Sequence, residues 1–335
     1  MATLAANNLT LLDIAKRLDP DGSVSAIAEL LSQDNELLQD IPMVEGNLPT
    51  GHLSTQRTGL PTLTWRKMNQ GVATSKSRTA QVTDTCGMLE GLSATDIDLA
   101  MLNGNTASYR LSESASFIEA MNIDMASSVF YGDTTVNPER FMGLAPRFDD
   151  VPTTSGGAEN KVNAIDGGGT GTDNSSIWLI GWSPDKVHGI YPKGSVAGLV
   201  HQDLGEDWAF DSSNNRYRAL LDRYQWKIGL AVRDWRYVVR ICNVDISDLT
   251  KNAATGADVT NLMTRALHRI HSLSGVQPRF YMNRTLKSFL AQQMEARISS
   301  SQLRFADIGN GPTMTFAGVP IRQTDALIEA EARIT

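Results

Sequence analysis

Residues 176–195, SIWLIGWSPDKVHGIYPKGS, and residues 224–246, YQWKIGLAVRDWRYVVRICNVDI, decide how this chain is read. Within them Ile177–Gly181, Lys186–Tyr191, Tyr224–Val232 and Tyr237–Val244 are dense in β-branched and aromatic side chains and bounded by turns. Such side chains favour strands because they fit a pleated, half-buried surface. These four segments predict most of the sheet, all of it in the second half of the chain. Just upstream, residues 152–174 combine Gly with Thr, Ser and Asn and carry almost no large apolar group, so they read as a solvated flexible loop dividing the two halves. Downstream, helical spacing returns at 258–273 through Val259, Leu262, Ala266, Ile270 and Leu273, and at 283–297 through Leu286, Phe289, Leu290 and Met294. Gly318–Thr324 reads as a final strand. Strands cluster and do not alternate regularly with helices, which predicts the α+β class with antiparallel-type sheet pieces.

The clearest helix covers residues 110–131. Leu111, Ala115, Ile118, Met121, Met125 and Val129 form one stripe, and Glu113, Ser116, Glu119 and Asn122 fall off it. Ser112 is its candidate cap, and Gly132-Asp133 ends it. At 1.5 Å per residue it spans roughly 30 Å, enough to be the backbone of a subunit. From Glu45 to Gly71, Pro, Gly, Thr and Ser interleave with Leu60, Leu63 and Trp65, the pattern of a long projecting hairpin. A hairpin is marginal alone, so this one needs a surface to pair with, most simply another copy of the chain. Before it, Leu11, Ile14, Ala15 and Leu18 repeat at helical spacing up to Pro20, and Ser23 opens a second stretch through Val24, Ile27, Ala28, Leu31 and Leu37-Leu38. Some forty residues with so few large apolar groups cannot bury a core. This helical arm should lie against something else, and a neighbouring subunit is the natural candidate.

Composition narrows the function classes. With 335 residues, 41% hydrophobic and 20% charged, the chain has the make-up of a packed, folded protein. Thirty Lys and Arg against thirty-seven Asp and Glu leave a formal charge of −7, without the basic excess that drives binding to phosphate backbones. Cys86 and Cys242 lie far apart with no CxxC spacing, so neither a zinc site nor a disulfide framework is encoded, and each reads as a buried structural thiol. The first residues lack the pattern of a secretory signal, and no run of about 18 apolar residues could span a membrane.

Four constellations carry residue types of interest, each with a plainer reading. His268 and His271 stand three apart on a predicted helix, but Arg265 and Arg269 beside them would repel a cation. Asp166-Gly167-Gly168-Gly169 resembles a phosphate cradle without the Gly-Lys-Ser/Thr that would follow, and Lys193-Gly194-Ser195 lacks the upstream glycine at the required offset. Ser195 has His188, His201 and Asp203 close in sequence, the types of a nucleophilic triad, yet the Gly-x-Ser-x-Gly elbow is absent. Arg233, Arg236 and Arg240 alternate with Trp226, Trp235 and Tyr237, which would suit single-stranded nucleic acid, but Asp234, Asp245 and Asp248 dilute the charge. A sheet with Arg–carboxylate pairs at an edge or subunit contact is the simpler expectation. A serine hydrolase built on Ser195 and a nucleic-acid-binding module remain the alternatives to a structural role.

The two opening stretches, with Asp203-Leu204-Gly205 between them, are similar to major capsid proteins of short-tailed phages of the epsilon-fifteen type. Further matching pieces are Tyr131–Ala145 (YGDTTVNPERFMGLA), Arg279–Leu286 (RFYMNRTL) and Phe316–Ile328 (FAGVPIRQTDALI), so the resemblance runs from about residue 110 to the end. It rests on long ordered runs of aromatic, Gly and Arg residues, not on a catalytic signature. It implies the Hong Kong 97-type capsid fold: an N-terminal arm over 1–45, an extended loop over 46–80, and peripheral and axial domains over 81–335 with a spine helix at 110–131. It further implies a non-enzymatic subunit without cofactor or metal that forms pentamers and hexamers around double-stranded DNA. A separate scaffold, a portal and decoration proteins are the implied partners, with no membrane, and with assembly in the host cytoplasm before residence in the virion. Neither a covalent cross-linking pair nor a cleaved scaffold domain can be nominated. Subunit contacts are expected at Leu11 and Ile14 in the arm, at Leu60, Trp65 and Arg66 in the hairpin, and at Arg233, Arg236 and Arg240.

Overall fold

The structure, a computed structural model, describes residue 33 and residues 35–101, 106–152, 162–211, 213–250, 256–296, 303–307 and 312–335. Leu11, Ile14, the predicted helix at 9–18 and most of the second predicted arm helix lie outside the described residues. The helices are Leu37–Asp40 (α1), Ile97–Ala100 (α2), Thr106–Tyr131 (α3), Val259–Arg269 (α4) and Arg284–Ala296 (α5). In chain order the strands of the first half are Met43–Glu45 (β1), Gly51–Gly59 (β2) and Arg78–Asp96 (β3). Ala164–Asp166 (β4), Asn174–Trp182 (β5), Val187–Tyr191 (β6), Leu199–Phe210 (β7), Arg216–Val232 (β8) and Val238–Asp245 (β9) follow. Gln277–Met282 (β10), Leu303–Asp307 (β11), Pro312–Phe316 (β12) and Val319–Gln323 (β13) complete the set.

The chain packs as two compact units. The smaller takes in Met88–Met125 and Gly198–Lys227, and the larger Asp34–Gly87, Ala126–Ala197 and Ile228–Thr335. In the larger unit a seven-stranded sheet has the order β11-β12-β13-β10-β5-β9-β4. β5 lies antiparallel between β9, with Trp178 opposite Arg240, and β10, with Leu179 opposite Phe280. Every residue of β5 and β9 is buried, so these strands are covered on both faces, which is why their sequences read as nearly unbroken apolar runs. Phe130 and Phe148 pack their rings 6.0 and 6.1 Å from Trp178, and Trp182 Nε1 donates to Tyr281 Oη at 2.8 Å. Asp258 caps α4, its carboxylate accepting from the Asn261 amide, and the helix buries Val259, Leu262, Met263 and Ala266. It stops at Arg269, so the helical pattern predicted to 273 overruns by one turn.

The expected antiparallel pieces are present, and three further pairings are parallel, β1 with β6, β4 with β9 and β10 with β13. Within the predicted flexible loop at 152–174, the described residues 162–174 include a strand. Residues 153–161 lie outside the described residues, but Ala164 and Ile165 are buried in β4, and Gly167 and Gly169 donate to the carbonyls of Cys242 and Asn243. The glycines serve close packing here: a Cβ on Gly169 would fall 2.6 Å from both Asn174 Oδ1 and Asn243 O. The tail closes the same corner. Glu331 N donates to Asn174 O, and Ile334 N donates to Asn243 Oδ1 while its carbonyl accepts from Asn243 Nδ2.

A second sheet follows the order β1-β6-β8-β3-β2, with β7 pairing β8. Its larger-unit portion pairs Val187 of β6 with Val232 of β8 and Gly51 of β2 with Thr85 of β3. In the smaller unit β7 runs against β8 from Leu199–Trp226 to Phe210–Arg216, with an irregularity between Asp203 and Gly205. The first half of α3 belongs to that unit. There Tyr224 Oη lies 2.6 Å from Ser114 Oγ and its ring stacks on Phe117, while Arg110 bonds Asp222 at 2.7 Å and Asp203 at 2.8 Å.

Candidate assembly surfaces

β2 and β3 form an antiparallel hairpin whose ladder runs from Gly51–Thr85 to Gly59–Arg78, and residues 60–77 connect them as an exposed loop. Leu60, Leu63, Trp65 and Met68 on that loop are 78%, 88%, 101% and 94% exposed. Large apolar groups so displayed mark an interaction surface, because a chain that could bury them would. Arg57, Arg66, Lys67, Lys76 and Arg78 surround them, and no Asp or Glu occurs from Gly46 to Thr83. The loop is apolar and cationic at once.

The root of the hairpin is fixed more firmly. Asn47 exchanges two bonds with Leu53, the Cys86 amide donates to Thr50 O at 2.9 Å, and Gln56 Nε2 donates to Val232 O at 3.3 Å. Beneath it a cleft of about 590 Å³ is lined by Thr50, Asp84, Cys86, Thr134, Arg140 and Arg147 among others. Asp84 is buried and pairs with Arg147 at 2.7 Å, and the same guanidinium donates to the carbonyls of Gly143, Met142 and Leu230. Burial, reinforced by Asp84, pushes the Cys86 thiol up to about 11, and burial does the same for Cys242, so neither is a thiolate at neutral pH.

Of the three arginines expected at subunit contacts, Arg240 turns inward. Its side chain is 5% exposed, pairs with Glu331 at 2.8 Å, donates to Ser176 Oγ and to the carbonyls of Ala145 and Phe148, and lies 5.0 Å over the Trp178 ring. Glu331 also accepts from the hydroxyls of Tyr131 and Ser176. Burial and then the Glu331 charge hold the Tyr131 phenol far above its ordinary range. Arg240 is a core residue, and a neighbour cannot reach it. Arg236 is exposed and bonds Asp234 through Nε and Nη2, and Arg233 is exposed beside it.

The arrangements that would carry chemistry are not assembled. Ser195 Oγ donates to Pro192 O at 2.7 Å, His188 faces His52, and His201 and Asp203 belong to the smaller unit, where His201 bonds Asp222. His271 lies past the end of α4, its amide on Arg236 O and its ring against Tyr237. Among the described residues no three metal-ligating side chains converge. The amides of Gly167 and Gly169 are spent on β9, and that of Gly194 on Glu45, so neither glycine segment forms an open phosphate cradle.

Two surfaces escaped the sequence reading. Leu111, 73% exposed, and Ala115 and Ile118 face solvent, so the first half of the predicted helical stripe is not core; Met121, Met125 and Val129 are. On β7 and β8, Trp208 and Phe210 stand half exposed under Arg218 and Arg216, each cation 5.6 Å from its ring. The signal was present as the alternation Trp208, Ala209, Phe210, but the acidic residues before it masked a strand.

A family model described as major capsid protein GP7 matches residues 19–335. The structure is similar to that of bacteriophage epsilon15, with a TM-score of 0.80 and 34% identity over 100% of both chains. It is also similar to the bacteriophage JBD30 capsid, with a TM-score of 0.50 over 89% of this chain and 92% of that one; at 11% identity the likeness is one of fold. No curated protein matches the chain. The architecture is the Hong Kong 97-type capsid fold that the resemblance implied. With the family pattern running through nearly all of its length, the chain belongs to the major capsid protein GP7 family.

Proposed function

We propose that the chain forms pentamers and hexamers of an icosahedral phage shell around double-stranded DNA, and that the loop at 60–77 is a principal grip between subunits. A capsid subunit is a component of the virion and associates with copies of itself; it is not an enzyme. The observation that carries the loop's role is the display of Leu60, Leu63, Trp65 and Met68 on a cationic loop. We assign residues 1–45 as the arm, 46–80 as the extended loop, 110–131 as the spine, and the rest of 81–335, with the 152–174 segment, as peripheral and axial domains. Leu11, Ile14, Leu60, Trp65, Arg66, Arg233 and Arg236 are the contact residues. Assembly runs in the host cytoplasm with a separate scaffold, a portal and decoration proteins, and the enclosed DNA is held without sequence-specific contacts. Each contact is modest, and a closed shell gains from making many at once, since every further contact forms at high effective concentration.

The test is a Leu63→Ser/Trp65→Ser chain. Both side chains are exposed, so the urea midpoint of the subunit should hold while the yield of closed particles by electron microscopy falls at least tenfold. Undiminished particles would remove the loop from the assembly contacts.

A further inference from the structure

The hairpin root gathers buried titratable groups whose hydrogen bonding is incomplete among the described residues. His52 on β2 meets His188 on β6 edge to face, with ring centroids 5.8 Å apart. His188 is fully buried, and among the described residues neither of its ring nitrogens makes a well-formed hydrogen bond; Nδ1 of His52 is buried in the same condition. Asp84 stands directly across the β2–β3 ladder from His52. One of its carboxylate oxygens is taken by Arg147, and the other is buried without a partner.

We infer that the His52–His188 contact is an acid-sensitive latch on the hairpin: neutral rings hold β2 against β6, and charging both releases the root and the loop it carries. Edge-to-face packing of neutral rings is attractive. Two imidazolium ions at that distance, one of them fully buried, repel. Arg233 sits near both rings and adds to the repulsion. Asp84 favours a charge on His52, but half of that carboxylate already serves Arg147; Asp185 and the Ser183 backbone favour a charge on His188 and do not prevail. Burial is the main reason both rings resist protonation, and it holds His188 down to about 4. An imidazole held below its ordinary 6.5 contributes fully above that pH, and its contribution is lost as pH falls from about 6.5 toward about 4. The backbone and amide ties of the root, Asn47 with Leu53, Cys86 N to Thr50 O and Gln56 Nε2 to Val232 O, join uncharged groups, so substituting the histidines separates the latch from the Asp84–Arg147 pair.

What the latch does for shells rests on the reading of loop 60–77 as an intersubunit grip, but the latch itself is tested without particles. Amide hydrogen exchange at residues 51–59 of the full-length chain, expressed as protection relative to the free peptide at each pH, should fall at least tenfold between pH 7 and pH 4. His188→Phe, which fills the same space and cannot charge, should flatten that fall, as should His52→Phe. Protection that stays level in the natural chain, or that falls equally in both variants, would overturn the proposal. If the variants do not fold, an NMR titration of the natural chain decides: a His188 midpoint near 4 with parallel shifts at 51–59 supports the latch, and a midpoint at or above 6.5 refutes it. Neither outcome alters the particle yield of the Leu63→Ser/Trp65→Ser chain, so the two readings fail separately.

Discussion

Arg240 and Glu331 bring opposite charges 91 positions apart in sequence to 2.8 Å in the core, with Ser176, Tyr131 and two backbone carbonyls absorbing the remaining hydrogen bonds. Such a pair is dangerous to halve, since the survivor is a buried, uncompensated charge. Glu331→Gln and Arg240→Met should each destabilise the subunit by about 3–5 kcal/mol, while the double variant should recover part of that loss. Urea unfolding of the three chains measures both effects, and additive losses would show that the two side chains do not act as a pair. The pairing was hidden from the sequence because an Arg set in the run Val238-Val239-Arg240-Ile241 looks like an edge charge when its carboxylate is so far away. Arg236 was easier to place, with Asp234 two positions before it.

At the scale of elements, what could be read depended on whether one cause dominated. β5, β6, β9 and the second half of β8 were legible because burial concentrated apolar residues there, whereas the more exposed Arg216–Arg223 half of β8 was missed. β7 was missed because it is mostly exposed and reads Val200-His201-Gln202-Asp203, and β4 because its neighbouring glycines look like a linker until β9 is set beside them. α3 was found, but periodicity tells which residues share a face and not what covers it. Leu111→Ser/Ile118→Ser should therefore shift the subunit's urea unfolding free energy by no more than about 1 kcal/mol, where a buried stripe would lose about 2–5 kcal/mol per site. A large loss would return Leu111 and Ile118 to the core. The hairpin was legible as an extended, exposed element, whereas the histidines at its root carried no signal of being neighbours.

Over the whole molecule, the net charge of −7 conceals an uneven distribution: residues 46–83 are purely cationic, so the remainder is more acidic than the total suggests. Copies that meet through this hairpin attract over a distance set by salt, about 10 Å at 0.1 M and 3 Å at 1 M. The initial rate of assembly, followed by light scattering, should fall several-fold between about 0.05 and 0.5 M salt, a range over which screening shortens that reach. Arg66→Glu/Lys67→Glu should assemble slowly at low salt and lose most of the dependence. A rate that rises with salt in both chains would mean that apolar burial alone governs the encounter.

The clasp of Glu331 on Asn174 and Ser176, and of Ile334 on Asn243, also orders events in time. A nascent chain with β5 and β9 already outside the ribosome still holds Arg240 without its counter-ion until residue 331 has been delivered. Chains that end before residue 331 therefore keep a buried, uncompensated Arg240.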